Sequence, residues 1–158
     1  MTLKKLLLII AGAIGLVGAF LPWYSFSISF MGYSSSLSEN AFGLGGWLYI
    51  LLAILTMLAS AALIVLATVP EKKIKSIVPK IKDLAKMPLI LGIVMAASAV
   101  IAFIAIQSQA KGVGGVSWGV WMIGIAGAAT IVLSVLKNKE LDKVIAGAKP
   151  ATKKTEKK

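Results

Sequence analysis

The chain has 158 residues, 58% of them apolar, with a mean hydropathy of +0.91 and a formal charge of +11. A soluble domain averages roughly 45–50% apolar residues, and here the excess is gathered into four blocks set apart by lysine, which excludes an ordinary water-soluble globular fold. With no Cys and no His, a disulfide framework and a thiolate or imidazole metal site are excluded; the lysines flank the apolar blocks, which points to anionic lipid rather than nucleic acid as their partner.

The first apolar block runs from Leu6 to Leu21, behind Lys4 and Lys5, and closes at Pro22 and Trp23. Proline cannot extend a helical hydrogen-bond ladder, and Trp favours the headgroup zone. The block is short for a span, so Leu3 or local bilayer thinning must contribute. A secretory signal peptide cut after Val17-Gly18-Ala19 is the rival reading; three further spans directly behind it favour a retained helix.

Residues 22–46 form the longest connection, and here the period changes. Tyr24, Phe26, Ile28 and Phe30 alternate with Ser25, Ser27 and Ser29. That is the period of a strand with one apolar and one hydroxyl face. Met31-Gly32 offers a turn, and Tyr33 to Ser38 can return as a second strand. A lone hairpin is marginal in water, so its apolar face is expected to dock on the helix ends, on the bilayer surface or on a partner. Tyr24, Phe26, Ile28, Phe30 and Tyr33 are the partner-contact candidates.

The second span runs from about Trp47 to Val69 and is ended by Pro70. Between 70 and 86, Ile74, Ile77, Val78, Ile81 and Leu84 fall on one helical face, and Lys72, Lys73, Lys75, Lys80, Lys82 and Lys86 supply the rest. This predicts a basic amphipathic segment on anionic lipid, interrupted at Pro79. The third span is Met87 to Ile106, with Pro88 in its first turn. The fourth is Ser117 to Leu136, with Ser117 as expected N-cap. Residues 1–136 thus form one four-helix transmembrane domain, and 137–158 a basic cytoplasmic tail.

Lysine placement sets the orientation. The N-terminus, the 70–86 segment and the tail hold 2, 6 and 8 of the 17 basic residues; the other is Lys111. The expected address is therefore a cell membrane, crossed four times, with both termini cytoplasmic and the 22–46 and 107–116 connections outside. Gly43-Leu44-Gly45-Gly46-Trp47 has an echo in Gly112-Val113-Gly114-Gly115, followed by Trp118. Either a helical hairpin was duplicated, or both outer connections need glycine independently.

No ionisable group lies inside the four spans, where such groups mark relays and substrate paths. Thr56, Ser60, Ser98, Thr130 and Ser134 can bond helix backbone. The acids outside number one, Glu39, so paired-carboxylate chemistry has no pair there. We expect no enzyme and no cofactor. Small residues mark the packing faces: Gly12, Gly15 and Gly18 on the first span, Gly92 on the third, and Gly124 and Gly127 on the fourth. Such faces let helices approach closely in lipid, to close the chain's own bundle or a homo-oligomer.

Leu21-Pro22-Trp23 closing the first span, a Ser- and aromatic-rich outer loop, and Gly43-Leu44-Gly45-Gly46-Trp47 opening the second resemble uncharacterised small prokaryotic four-span membrane proteins over residues 1 to about 136. The resemblance implies a membrane address and a four-helix fold, and no activity. The layout is also similar to claudin-like tetraspans, whose first outer loop carries a paired cysteine that this chain lacks. The expected fold is an all-α four-transmembrane-helix bundle with a small outer β-hairpin between helices 1 and 2. The expected function is a non-enzymatic scaffold or accessory subunit that contacts a membrane-protein partner through the outer loop. The alternatives are an oligomeric, holin-like pore and a small passive transporter.

Overall fold

Four helices, each long and apolar enough to cross a membrane, carry a small sheet at one end. The computed structural model describes residues 2–70, 73, 74, 76, 84–110 and 114–136. In chain order these are α1 (Leu3–Phe20), β1 (Tyr24–Phe30), β2 (Tyr33–Glu39), α2 (Trp47–Thr68), a 3-10 turn (Leu84–Lys86), α3 (Met87–Ala110), β3 (Gly114–Val116) and α4 (Trp118–Val135). The helix α1 starts at Leu3, which recovers the length that the block from Leu6 lacked.

The helices close into a ring in which α1 packs on α2 and α4, and α3 packs on α2 and α4. Helices α1 and α4 are antiparallel. At the end away from the sheet, Lys4 Nζ donates to the Leu136 carbonyl at 2.8 Å, a cation on the negative end of α4. At the sheet end, Gly119 N–H donates to the Pro22 carbonyl at 2.8 Å.

The small residues are where the helices touch. A Cβ on Gly12 would meet Ile64 and the Ser60 carbonyl of α2, and one on Gly18 would meet the Gly119 carbonyl and Ile123 of α4. A Cβ on Gly15 would run into the Met95 methyl and Ser60 Oγ. Gly92 and Gly127 bring α3 and α4 together: a Cβ on Gly127 would lie 2.6 Å from the Ala96 nitrogen and 3.0 Å from the Gly92 carbonyl oxygen. Gly124 differs, because the nearest atom to its missing Cβ is Ala99 Cβ, at 3.5 Å.

Hydroxyls inside the bundle bond backbone. Thr56 donates to the Leu52 carbonyl and Thr130 to that of Ala126, each within its own helix, and Ser134 does the same to Thr130. Ser60 reaches across to Met95 Sδ at 3.9 Å. Among the described residues no buried side-chain N or O atom lacks a partner. The core falls into two parts: one towards the sheet around Trp23, Tyr49, Leu52, Met95, Ile106 and Ile123, the other around Leu8, Leu63 and Leu133.

The sheet has three strands, in order β2-β1-β3, where the sequence predicts two. Strands β1 and β2 pair antiparallel from Tyr24↔Glu39 to Phe30↔Tyr33, and β3 adds to the other edge of β1 from Tyr24↔Val116 to Phe26↔Gly114. At the hairpin tip Met31 (φ 48°) and Gly32 (φ 83°) both take left-handed backbone, the turn whose twist matches that of paired strands. Ser117 is the N-cap residue of α4 as its place in the chain predicts, but its hydroxyl makes no cap bond; its N–H is used in the sheet junction below. Of the 70–86 segment, Lys73 and Lys86 lie within the described residues and Lys72, Lys75, Lys80 and Lys82 outside them; of its expected apolar face, Ile74 and Leu84 are described and are buried in the chain.

The glycine geometry orders three substitutions. Gly127→Ala meets backbone, which cannot swing aside, and should cost about 1–3 kcal/mol. Gly15→Ala meets the end of a flexible Met side chain and should cost less. Gly124→Ala has room and should be neutral or stabilising. Melting of the purified protein in one detergent checks the order; equal losses at all three would refute the packing scheme.

Candidate partner-contact surface

The sheet is held to the bundle through Pro22 and Trp23. Helix α1 ends in a Pro, so the Gly18 carbonyl loses the N–H that residue 22 would otherwise provide. The Trp23 indole N–H takes its place, donating to Gly18 O at 3.1 Å. The ring is 0% exposed and sits in the core, whereas an interfacial Trp was expected. Gly119 makes the room: a Cβ there would lie 2.6 Å from the indole Cδ1. The Trp23 backbone then joins two loops, with its N–H donating to Glu39 O (2.9 Å) and its carbonyl accepting from Ser117 N–H (2.8 Å).

The near half of the hairpin is thereby built into the molecule. Tyr24 and Phe26 are half-buried, and Tyr24 packs against the core with its hydroxyl over Gly114. The return from β2 to α2 is tight. Asn40 Oδ1 accepts from Phe42 N–H and Gly43 N–H at 3.1 and 2.9 Å, an Asx turn, and Gly45 (φ 67°) completes it. The two glycine-rich connections therefore do different jobs: Gly45 turns the chain, while Gly114 and Gly115 lie in a strand.

The far half is different. Among the described residues β3 pairs with β1 as far as Phe26, and from Ser27 onward the described partner of β1 is β2. Ile28, Phe30, Met31, Tyr33 and Leu37 are exposed, Phe30 to 70%, Met31 to 86% and Tyr33 to 85%. Directly paired residues share a face, so the register puts Phe26 with Leu37 and Phe30 with Tyr33 on one face. The other face pairs Ser25 with Ser38, Ser27 with Ser36 and Ser29 with Ser34. Among the described residues no strand pairs with the outer edge of β2. It carries neither proline nor lysine, and its one charge, Glu39, stands at the end nearest the bundle. Monomeric proteins usually blunt such an edge with charge, proline or a covering element.

Of the five predicted contact residues, then, Ile28, Phe30 and Tyr33 stand free at the far end, while Tyr24 and Phe26 serve the junction. Met31 and Leu37 join the exposed set; Leu37 sits alone in a serine run, so only the register reveals its place opposite Phe26. The ring pair Phe20–Phe42 (centroids 6.4 Å apart) backs the hairpin's return, and Trp47 and Trp118 open α2 and α4 exposed to 76% and 74%. Among the described residues there is no group of three or more Asp, Glu, His or Cys able to hold a metal. No family model matches the chain, and the comparisons with curated proteins and with solved structures give no match either.

The junction can be taken apart stepwise. Trp23→Phe keeps a ring but leaves the Gly18 carbonyl unbonded, an expected loss of about 1–3 kcal/mol. Trp23→Ala adds a cavity, for about 3–5 kcal/mol in all. Trp47→Ala should barely change the melt. Amide exchange at Tyr24–Phe26 and Leu37–Glu39 should quicken in both Trp23 variants; unchanged protection there would remove Trp23 from its role as anchor.

Proposed function

We propose that this chain is a multi-pass membrane protein with cytoplasmic termini, and that it serves without catalysis as an accessory or scaffold subunit whose outer hairpin receives a strand of a partner protein. The carrying observation is the far half of the hairpin, where an uncharged open edge runs beside an apolar face that includes Phe30, Tyr33 and Leu37. An edge of this kind takes up an extended segment by main-chain hydrogen bonds, and side-chain alternation supplies the selectivity. The fitting partner segment is short, extended, and apolar at alternate positions.

Membrane insertion is supported by four helices of 18 to 24 residues, about 27–36 Å at 1.5 Å per residue, against a hydrocarbon core of about 30 Å. Their outward sides carry Leu, Ile, Val and Phe. The lysine bias places the sheet outside and the lysine-rich end on the anionic inner leaflet. Retention of α1 is favoured because Gly12, Gly15 and Gly18 all make contacts inside the bundle. The same fact weakens the oligomeric pore. The glycine faces that would join copies are occupied within one chain, apart from that of Gly124.

Two measurements bear on this reading. A cysteine at Ser35→Cys should react with an impermeant maleimide on intact cells, and one at Thr155→Cys only after permeabilisation; equal reaction at both overturns the orientation. A photo-reactive residue at Ile28 in native membranes should then cross-link to a second protein. The pair Phe30→Ser and Leu37→Ser should abolish that product without changing insertion. Cross-links only to the chain's own helices, with and without the pair, would make the hairpin a structural lid.

A further inference from the structure

The two-residue turn at Met31-Gly32 fixes which backbone groups of β2 are already engaged. Residues flanking such a turn exchange hydrogen bonds, and bonded pairs then alternate with unbonded ones along the ribbon. Phe30 and Tyr33 flank it, so Tyr33, Ser35, Leu37 and Glu39 turn their N–H and C=O groups toward β1. Ser34, Ser36 and Ser38 turn theirs to the outer edge. The side chains of these three stand on the hydroxyl face, and those of Tyr33, Ser35 and Leu37 on the aromatic face. All six residues are exposed. From Tyr33 to Ser38 the strand has no ionisable acid or base. Strand β3, and with it the chain that leads into it, joins the sheet on the other side of β1. The chain between α2 and α3 and the chain beyond α4 leave the bundle at the end away from the sheet.

We infer that the strand received by this edge is β2 of a second copy of the chain, laid antiparallel about a two-fold axis at Ser35. The inference rests on the strand-receiving role proposed above and names its partner. The segment that role calls for is short, extended and apolar at alternate positions, and β2 has that form itself. Outward-turned groups can bond only to outward-turned groups, so Ser34, Ser36 and Ser38 must meet residues of the same set in the copy. The same parity keeps aromatic face beside aromatic face, because side chains alternate with a period of two. A centre at Ser36 would set Tyr33 against Glu39 of the copy and Leu37 against its Ser35. A centre at Ser35 sets Tyr33 of each copy against Leu37 of the other, and Ser34 against Ser36 with both bonds exchanged. The register of β1 on β2 then lengthens the contact. Phe26, Leu37, and Tyr33 and Phe30 of the copy form one row across four strands, cross-strand neighbours of the kind that stabilise sheets. Charge allows it. Two identical edges bring like charges together, but the one charge of β2, Glu39, falls beyond the paired stretch. A two-fold contact also closes on itself, so each β2 edge covers the other and the assembly does not grow through it.

The chain has no cysteine, so single-cysteine variants of the full chain, purified in detergent, read the pairing directly. At the two-fold centre the Cβ atoms of the two copies stand about 4.5–5.5 Å apart, whereas the positions on either side of it meet their own copies at about 7–8 Å. A disulfide needs Cβ atoms about 3.5–4.5 Å apart, so under mild copper-phenanthroline oxidation Ser35→Cys should form covalent dimer at least about fivefold faster than Ser34→Cys, Ser36→Cys or Leu37→Cys. Chains carrying two different tags, mixed before oxidation, should give the mixed product. Ser36→Pro removes an outward N–H and leaves the bonds to β1 in place. Added to Ser35→Cys, it should bring the rate down to that of the flanking positions, and Tyr33→Ser should lower it in the same direction. Either variant is scored when amide exchange at Tyr24–Phe26 is unchanged, and the comparison among the four cysteine positions stands without them. A rate with no maximum at position 35 overturns the pairing, as does a rate that a folded Ser36→Pro or Tyr33→Ser variant leaves unchanged. If the photo-reactive residue at Ile28 then captures a different protein, the accessory role stands without the dimer; if it captures only the chain's own helices, both readings fall.

Discussion

The molecule turns on the junction at Pro22 and Trp23. Proline ends α1 and, by lacking an N–H, leaves the Gly18 carbonyl without its helical partner. The next residue repairs the loss with its own indole, 3.1 Å away, so the break and its repair lie side by side in the chain. Because the ring must enter the core to do this, the Trp23 backbone is held at the top of the bundle. There its N–H and carbonyl reach Glu39 and Ser117. One side chain thereby sets where α1 stops, where β2 returns and where α4 begins. Gly119 is the counterpart: its missing Cβ is the space the indole occupies.

In the membrane setting proposed above, the bundle follows a rule that differs from that of a water-soluble core. Where the outer medium is as apolar as the interior, burial of Leu or Ile contributes little, and helices associate by close backbone approach. The contacts follow that rule. The α1–α2, α1–α4 and α3–α4 approaches are made at Gly12, Gly18, and Gly92 with Gly127, while large residues such as Ile54, Val100 and Val132 point outward. Hydroxyls at Thr56 and Thr130 bond carbonyls one turn back, so they enter the interior without an unmet donor. Such an interior is well packed and chemically quiet, which is why the surfaces of interest lie outside it.

The surface proposed for a partner originates in the sheet. Among the described residues β3 pairs with β1 from Tyr24 to Phe26, and the register of β1 on β2 gives the hairpin two unlike faces, one aromatic and one of serine hydroxyls. The aromatic face with its edge suits a polypeptide, and that reading needs no charged group.

The sequence by itself determined four helices, their order, and a hairpin from Tyr24 to Ser38, because the length of an apolar run and a two-residue alternation are both local properties of the chain. It also marked the small residues that pack. Tertiary structure decided three things. It made Gly114–Val116 a strand; the segment has no alternation, and only the free edge of β1, brought beside it by the Trp23 junction, gives its N–H and C=O groups partners. It put Trp23 in the core while Trp47 and Trp118 stay exposed, since a tryptophan next to a helix end reads alike in sequence whether or not a glycine elsewhere has left it room. And it divided the glycines: those at 12, 15, 18, 92 and 127 face another helix closely, whereas that at 124 has room for a Cβ, with Ala99 Cβ the nearest atom at 3.5 Å. A residue's spacing says which helix face it occupies, but what stands opposite that face depends on how the four helices are arranged around one another.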